Sequence, residues 1–207
     1  MFHIFKVIED KDISYSNQHI YRWALQSARA LQYMHCLKRI IIIHRDIKPA
    51  NMLLDKSGLI LKLTDFGETL SIEELQKKGI QCKGSPIYMA PEVIFVKELR
   101  SNDSSETLEN FQKCDVYSWG ISFVHCFLRK SPFFDCKSLK ELKKAKQKPL
   151  ELSNKIPEQF REILFMSINL DLKQRTDIIK IAETLDEMTE NENDPEPIKF
   201  KHIQGKL

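Results

Sequence analysis

Asp46, Lys48, Asn51 and Asp65 lie close together in the chain and have side chains that could do chemistry in concert. Two carboxylates and an amide supply hard oxygen donors, the kind Mg2+ takes. Lys48 adds a compact positive charge two residues after Asp46, within reach of a bound phosphate. A polyphosphate needs its charge neutralised and a hydroxyl held in line, with little covalent work from the protein. The set therefore suits metal-assisted phosphoryl transfer.

Such groups need a scaffold. Ser14, Ser16 and Asn17 offer N-cap chemistry, and Ile20, Ala24, Ala28 and Leu31 then recur at helical spacing, so a long amphipathic helix is expected up to Cys36. Ile40–Ile43 reads as a short buried strand. Met52–Leu54 and Leu59–Leu63 flank the turn tripeptide Lys56-Ser57-Gly58, which predicts a hairpin between Asn51 and Asp65. Residues 68–89 show little periodicity and read as a loop. Val116–Leu128 reads as a buried helix, and Leu139–Lys148, Phe160–Met166 and Ile178–Met188 as three more helices.

Composition sets the outer limits. The chain has 207 residues, 42% hydrophobic and 29% charged, ordinary for a globular protein with a core of its own. A net charge of +3 does not call for a nucleic acid. The five cysteines form no C-x-x-C pair, which points to a reducing compartment rather than a zinc or disulfide framework. Charges at Lys6, Glu9, Asp10, Lys11 and Asp12 break any signal-peptide core, and the longest aliphatic run, Ile40–Ile43, is far too short to span a membrane. A cytoplasmic location without membrane insertion is expected.

The order His44-Arg45-Asp46…Asn51, Asp65-Phe66-Gly67, Ala90-Pro91-Glu92 resembles the protein kinase family, whose signature joins H-R-D…N, D-F-G and A-P-E. Trp23-Ala24-Leu25-Gln26, Gly84-Ser85, Met89-Ala90-Pro91-Glu92-Val93 and Lys113–Ile121 resemble in particular the TGF-β-activated type of MAP kinase kinase kinases in the tyrosine-kinase-like group. The resemblance covers most of residues 1–188. The polar stretch 101–110 departs from the pattern, as do Ile168 and Thr176, where the family usually has Trp and Pro.

The resemblance implies a mainly α fold with a small β region, the large C-terminal lobe of a kinase. It implies ATP and Mg2+ as cofactors, protein substrates, and transfer of the γ-phosphate to serine or threonine, with regulatory proteins as further partners. Asp46 then matches the catalytic base and Lys48 the residue contacting the transferred phosphate. Asn51 and Asp65 match the metal ligands, and Leu53 the residue beneath the adenine. His44 and Phe66 match a hydrophobic column, and Asp115 the buried anchor of the catalytic loop. Arg175 matches the partner of Glu92, and Ser85 the hydroxyl that helps hold Asp46 and Lys48. Ser85, Thr69, Ser71 and Tyr88 are hydroxyls in the activation-loop stretch, open to modification.

Two further expectations concern the ends. None of the six glycines forms a G-x-G, and no lysine-bearing strand precedes His44, so the small N-terminal lobe is expected to be absent. That opens an alternative, a non-catalytic kinase-like binding module or truncated product. Residues 189–207 are expected to form a disordered charged tail, and 101–110 a polar surface insertion. The lysines at 137, 140, 143, 144, 146 and 148 read as a solvated helix face, and His35 and His125 as ordinary satisfied histidines.

Overall fold

A computed structural model of the chain describes residues 1–38, 40–78, 84–95, 104–190 and 193–200. In chain order the elements are β1 (Phe2–His3), α1 (Ile4–Glu9), α2 (Asn17–His35), β2 (Ile42–Ile43), β3 (Met52–Leu54), β4 (Leu61–Leu63), β5 (Leu70–Ser71), α3 (Ile72–Lys78), α4 (Pro91–Ile94), α5 (Ser104–Leu128), α6 (Leu139–Ala145), α7 (Glu158–Ser167) and α8 (Ile178–Thr189). The fold is mainly α. Its small β region consists of a three-stranded antiparallel sheet, β1-β3-β4, and a pair, β2-β5. Among the described residues, no helix is long and apolar enough to cross a membrane.

Helix α5 is the axis of the core. Every residue from Asp115 to Cys126 is buried, so this stretch has no solvent face. Its hydroxyls turn inward onto the helix backbone: Ser118 Oγ donates to Cys114 O and Ser122 Oγ to Ser118 O. Helix α2 lies alongside, with Trp23, Ala24, Ala28 and Leu31 fully buried. Trp119 Nε1 of α5 donates 2.9 Å to Ser27 Oγ of α2, satisfying a buried indole at the helix contact. On the α7 side, a Cβ at Gly120 would stand 2.6 Å from Ile168 and 2.9 Å from Ser167, so only glycine lets the two segments approach this closely.

Several elements differ from the sequence reading, each for a local reason. Residues 68–89 are not all loop: α3 begins after Ser71, where Glu74 N donates to Ser71 Oγ and Ser71 N to Glu74 Oε2. That reciprocal pair is a capping box, S-x-x-E, visible in the sequence. Helix α1 buries Ile4, Val7 and Ile8, an i, i+3, i+4 stripe. Residues 104–110 of the polar stretch form the first turns of α5; positions 101–103 lie outside the described residues, as does Cys82.

The expectation of a disordered tail fails over residues 193–200. Ile198 N donates 2.8 Å to Ser57 O in the hairpin turn, and Ile198 and Phe200 are buried. The Phe200 ring lies 4.4 Å from that of Phe2. His19 accepts from Ser16 N at Nδ1, so its Nε2 donates to Glu196 O at 2.9 Å, and Arg22 pairs with Asp194. Two apolar side chains spaced two apart let an otherwise charged segment dock in extended form.

Candidate active site

The loop from His44 to Lys48 follows β2 and ends in a 3-10 turn, Pro49–Asn51, that leads into β3. Its shape is imposed from below by Asp115 in the middle of α5. Asp115 Oδ2 accepts from His44 N and Oδ1 from Arg45 N, both at 2.8 Å, and His35 Nε2 lies 3.0 Å from Oδ2. Arg45 adopts φ of +70°, a left-handed conformation that a non-glycine residue keeps only when its surroundings fix it. Burial raises the Asp115 carboxyl, but the hydrogen bond from His35, the His35 and His44 charges and the Arg45 N–H outweigh it. The net shift is below the usual carboxylate value.

Asp46 is buried and surrounded by donors. Lys48 Nζ donates to Oδ2 at 2.6 Å, Asn51 Nδ2 to the same oxygen at 2.9 Å, and Ser85 N to Oδ1 at 3.3 Å. Asn51 Nδ2 also donates to Asp46 O at 2.9 Å, so both loop ends are tied. The amide nitrogen being spent this way, its oxygen is the atom turned to other uses. Lys48 Nζ reaches Ser85 Oγ at 3.1 Å. Gly84 allows that approach: it has φ of +105°, and a Cβ there would press on Asp46 Oδ1 at 3.0 Å and on Arg45 O at 3.2 Å.

Asp65 sits at the other end of the β3–β4 hairpin. Thr64 N donates 3.0 Å to Asn51 O, which brings Asp65 beside the Asn51 turn. Asp65 is exposed, has φ of +61°, and accepts from Gly67 N at 3.4 Å. Among the described residues no cluster of three or more His, Cys, Asp or Glu side chains could hold a metal. One carboxylate and one amide oxygen nevertheless suit Mg2+, which keeps its waters and takes remaining oxygens from a phosphate. Leu53 is half-buried on β3, opposite Lys62 and His3. Phe66 is 54% exposed, its ring 5.3 Å from that of His44, whose Nε2 is buried without a hydrogen-bond partner.

A second set of contacts lies below Ser85. Arg175 Nη1 and Nη2 grip Glu92 at 2.6 and 3.2 Å, and the guanidinium also donates to Lys113 O and Asn169 O. Tyr88 OH lies 2.9 Å from His125 Nδ1, and burial pushes His125 down to about 4. The structure thus brings Asp46, Lys48, Asn51 and Ser85 into direct contact, sets Asp115 beneath them, and pairs Glu92 with Arg175 a short way off. Of the hydroxyls between residues 69 and 88, Ser85 touches Lys48, Ser71 caps α3 and Tyr88 is buried.

Sequence reasoning missed Lys146. It closes α6 with its side chain fully buried, and its Nζ donates 2.7 Å to Met89 O. The other lysines of the run, at 137, 140, 143, 144 and 148, are exposed or half-buried, so only Lys146 departs from a solvated face. The nearest signal is position: Lys146 and Leu142, which α6 buries, are four apart.

Comparison with known proteins gives a match to the protein kinase domain family over residues 2–185. A Drosophila melanogaster protein named mitogen-activated protein kinase kinase kinase 7-like is 31% identical over 198 residues, covering 92% of this chain and 47% of that protein. The human mitogen-activated protein kinase kinase kinase 7 is 36% identical over 119 residues, 58% of this chain and 17% of its own length. The serine/threonine-protein kinase CLA4 of Candida albicans is 29% identical, covering 86% of this chain and 17% of its own. The chain therefore spans about half the length of the first of these relatives and under a fifth of the other two.

Proposed function

Given that the chain belongs to the protein kinase domain family, we propose that it transfers the γ-phosphoryl group of ATP to serine or threonine hydroxyls of protein substrates in MAP kinase-type signalling in the cytoplasm. The observation that carries the reading is the set of donors around Asp46: Lys48 at 2.6 Å, Asn51 at 2.9 Å and Ser85 N at 3.3 Å. A carboxylate so held is aimed, and a base must be aimed at the proton it takes.

The roles are those the kinase resemblance implies, and the residue types suit them. Asp46 orients the acceptor hydroxyl and takes its proton. Lys48, bound to Asp46 and Ser85, sets its charge beside the phosphoryl group in flight. Asn51 and Asp65 would hold Mg2+ through oxygen, and Leu53 would floor the adenine. Bound there, Mg2+ neutralises charge on the phosphate oxygens. In the family the chain resembles, a lysine two residues after the base is typical of enzymes acting on serine and threonine, in line with the relative named a serine/threonine-protein kinase.

The test is a magnesium-dependent phosphorylation assay of the full chain on a generic serine/threonine acceptor, with Asp46→Asn as control. Signal from the wild type that Asp46→Asn abolishes supports the reading. Equal signal from both chains, or none from the wild type with Mg2+ and ATP in excess, overturns it.

A further inference from the structure

Lys146 has no place in the chemistry above, yet it is among the largest side chains with no exposed surface. A buried ammonium must be compensated, and the compensation has a direction. Its Nζ donates 2.7 Å to Met89 O and lies 4.8 Å from the Tyr117 ring centroid and 4.6 Å from that of Phe133. Met89 N in turn donates to Ser85 O at 3.3 Å, and Tyr88 N to the same oxygen at 3.0 Å. The turn Ser85–Met89 therefore has Lys146 at one end and the Asp46–Lys48 pair at the other. Glu92, three residues beyond Met89, is fixed separately by Arg175.

We propose that Lys146 is a positioning residue for the acceptor side of the site: its ammonium fixes the Met89 carbonyl and, through the Ser85–Met89 turn, holds Ser85 against Asp46 and Lys48. The proposal rests on the kinase reading for its functional consequence, but its structural content does not.

The hold is linked to protonation. Burial pushes the Lys146 amine down to about 7, with Glu92 opposing the shift, Arg175 adding to it and Cys136 opposing it. Those groups face it from α4, from the segment before α8 and from the segment before α6. Tyr117 faces it from α5, its hydroxyl held neutral by burial. As pH rises through about 7 the amine loses its proton. The attraction to both rings and the charge-assisted part of the bond to Met89 go with it. The Met89 end of the segment then loosens, while the two-point grip of Arg175 on Glu92 holds the other end by contacts of its own.

The experiment is an NMR titration of the full chain from pH 5.5 to 9, with lysine Cε and backbone amides labelled. One lysine resonance with a midpoint near 7 is expected, absent from Lys146→Met. The amides of Ser85 and Ile87–Ala90 should shift with the same midpoint in the wild type and stay flat in Lys146→Arg. A Lys146 resonance that does not titrate by pH 9, or amides that titrate alike in wild type and Lys146→Arg, overturns the proposal. Should either variant fail to fold, co-titration of Lys146 and the Ser85 and Ile87–Ala90 amides in the wild type still decides. In the phosphorylation assay, Lys146→Arg should leave the KM for ATP unchanged and remove the pH dependence of the KM for acceptor between 6 and 8. Lys146→Met should raise that KM roughly tenfold. A chain with no transfer at all defeats the kinase reading and leaves the titration result intact.

Discussion

Lys48 holds Ser85: the ammonium that donates 2.6 Å to Asp46 donates also to the Ser85 hydroxyl at 3.1 Å, so one side chain joins the His44–Lys48 loop to the stretch before Ala90-Pro91-Glu92. Ser85→Ala removes an acceptor from a charged donor, and such a bond contributes about 1.5–3 kcal/mol. Initial rates with the acceptor varied should fall at least roughly tenfold in kcat/KM, with the KM for ATP unchanged. Ser85→Thr should restore most of the rate. Rates for Ser85→Ala equal to wild type would remove the bridge from the mechanism.

Arg175 and Glu92 form a buried two-point pair, with Cys114 Sγ a further 3.4 Å donor to Glu92. Arg175→Ala strands the Glu92 charge in the core, which costs about 3–5 kcal/mol. In a chain of this size that lowers the melting temperature by on the order of 10 °C. Calorimetry of the variant checks this, and an unchanged melting temperature would show that the pair is dispensable.

His125 sets an acid limit on stability. Its folded value is pushed down to about 4 from 6.5, so above pH 6.5 both folded and unfolded chains carry it neutral. Between 6.5 and 4 the unfolded chain takes up a proton that the folded one refuses. Stability should fall over that window, by on the order of 3 kcal/mol at most. Denaturant unfolding at pH 7.5, 6 and 5 reads the slope, and His125→Gln should flatten it. A slope that persists in His125→Gln would assign it to another group.

The docked tail predicts a stability effect far from the site. Phe200→Ala removes a buried ring that packs on Phe2, and Ile198→Ala uncovers the hairpin turn beside Ser57. Ile198→Ala should lower stability by about 2 kcal/mol and Phe200→Ala by about 3 kcal/mol, the low ends for core truncations because both sit at the margin. Chemical denaturation midpoints indistinguishable from wild type would mean that the segment rests on the body without holding it.

The family was legible because its signature stands in order along a short stretch, His44-Arg45-Asp46…Asn51, Asp65-Phe66-Gly67 and Ala90-Pro91-Glu92. The match over residues 2–185 bears out the family. The main helices were legible from apolar periodicity. Lys146 was not, since its burial comes from Tyr117, Phe133 and Met89, which are distant in sequence, and five neighbouring lysines carry the same letter facing water. The tail is hidden from composition, which averages over the segment, while two apolar side chains at alternate positions suffice to dock it. Helix α3 hangs on one capping box, Ser71 with Glu74, which apolar periodicity does not register.

Asp115 lies midway along α5 in the span with no exposed residue, and it holds the amides of His44 and Arg45. Those two amides are tied to the central helix rather than to the surface, so their opening is expected to follow that of the helix. Their protons should therefore exchange with solvent in the slowest class, alongside those of Val116–Val124, while their neighbours toward Pro49 exchange sooner. The loop that carries Asp46 belongs, in its opening energetics, to the same cooperative unit as the core.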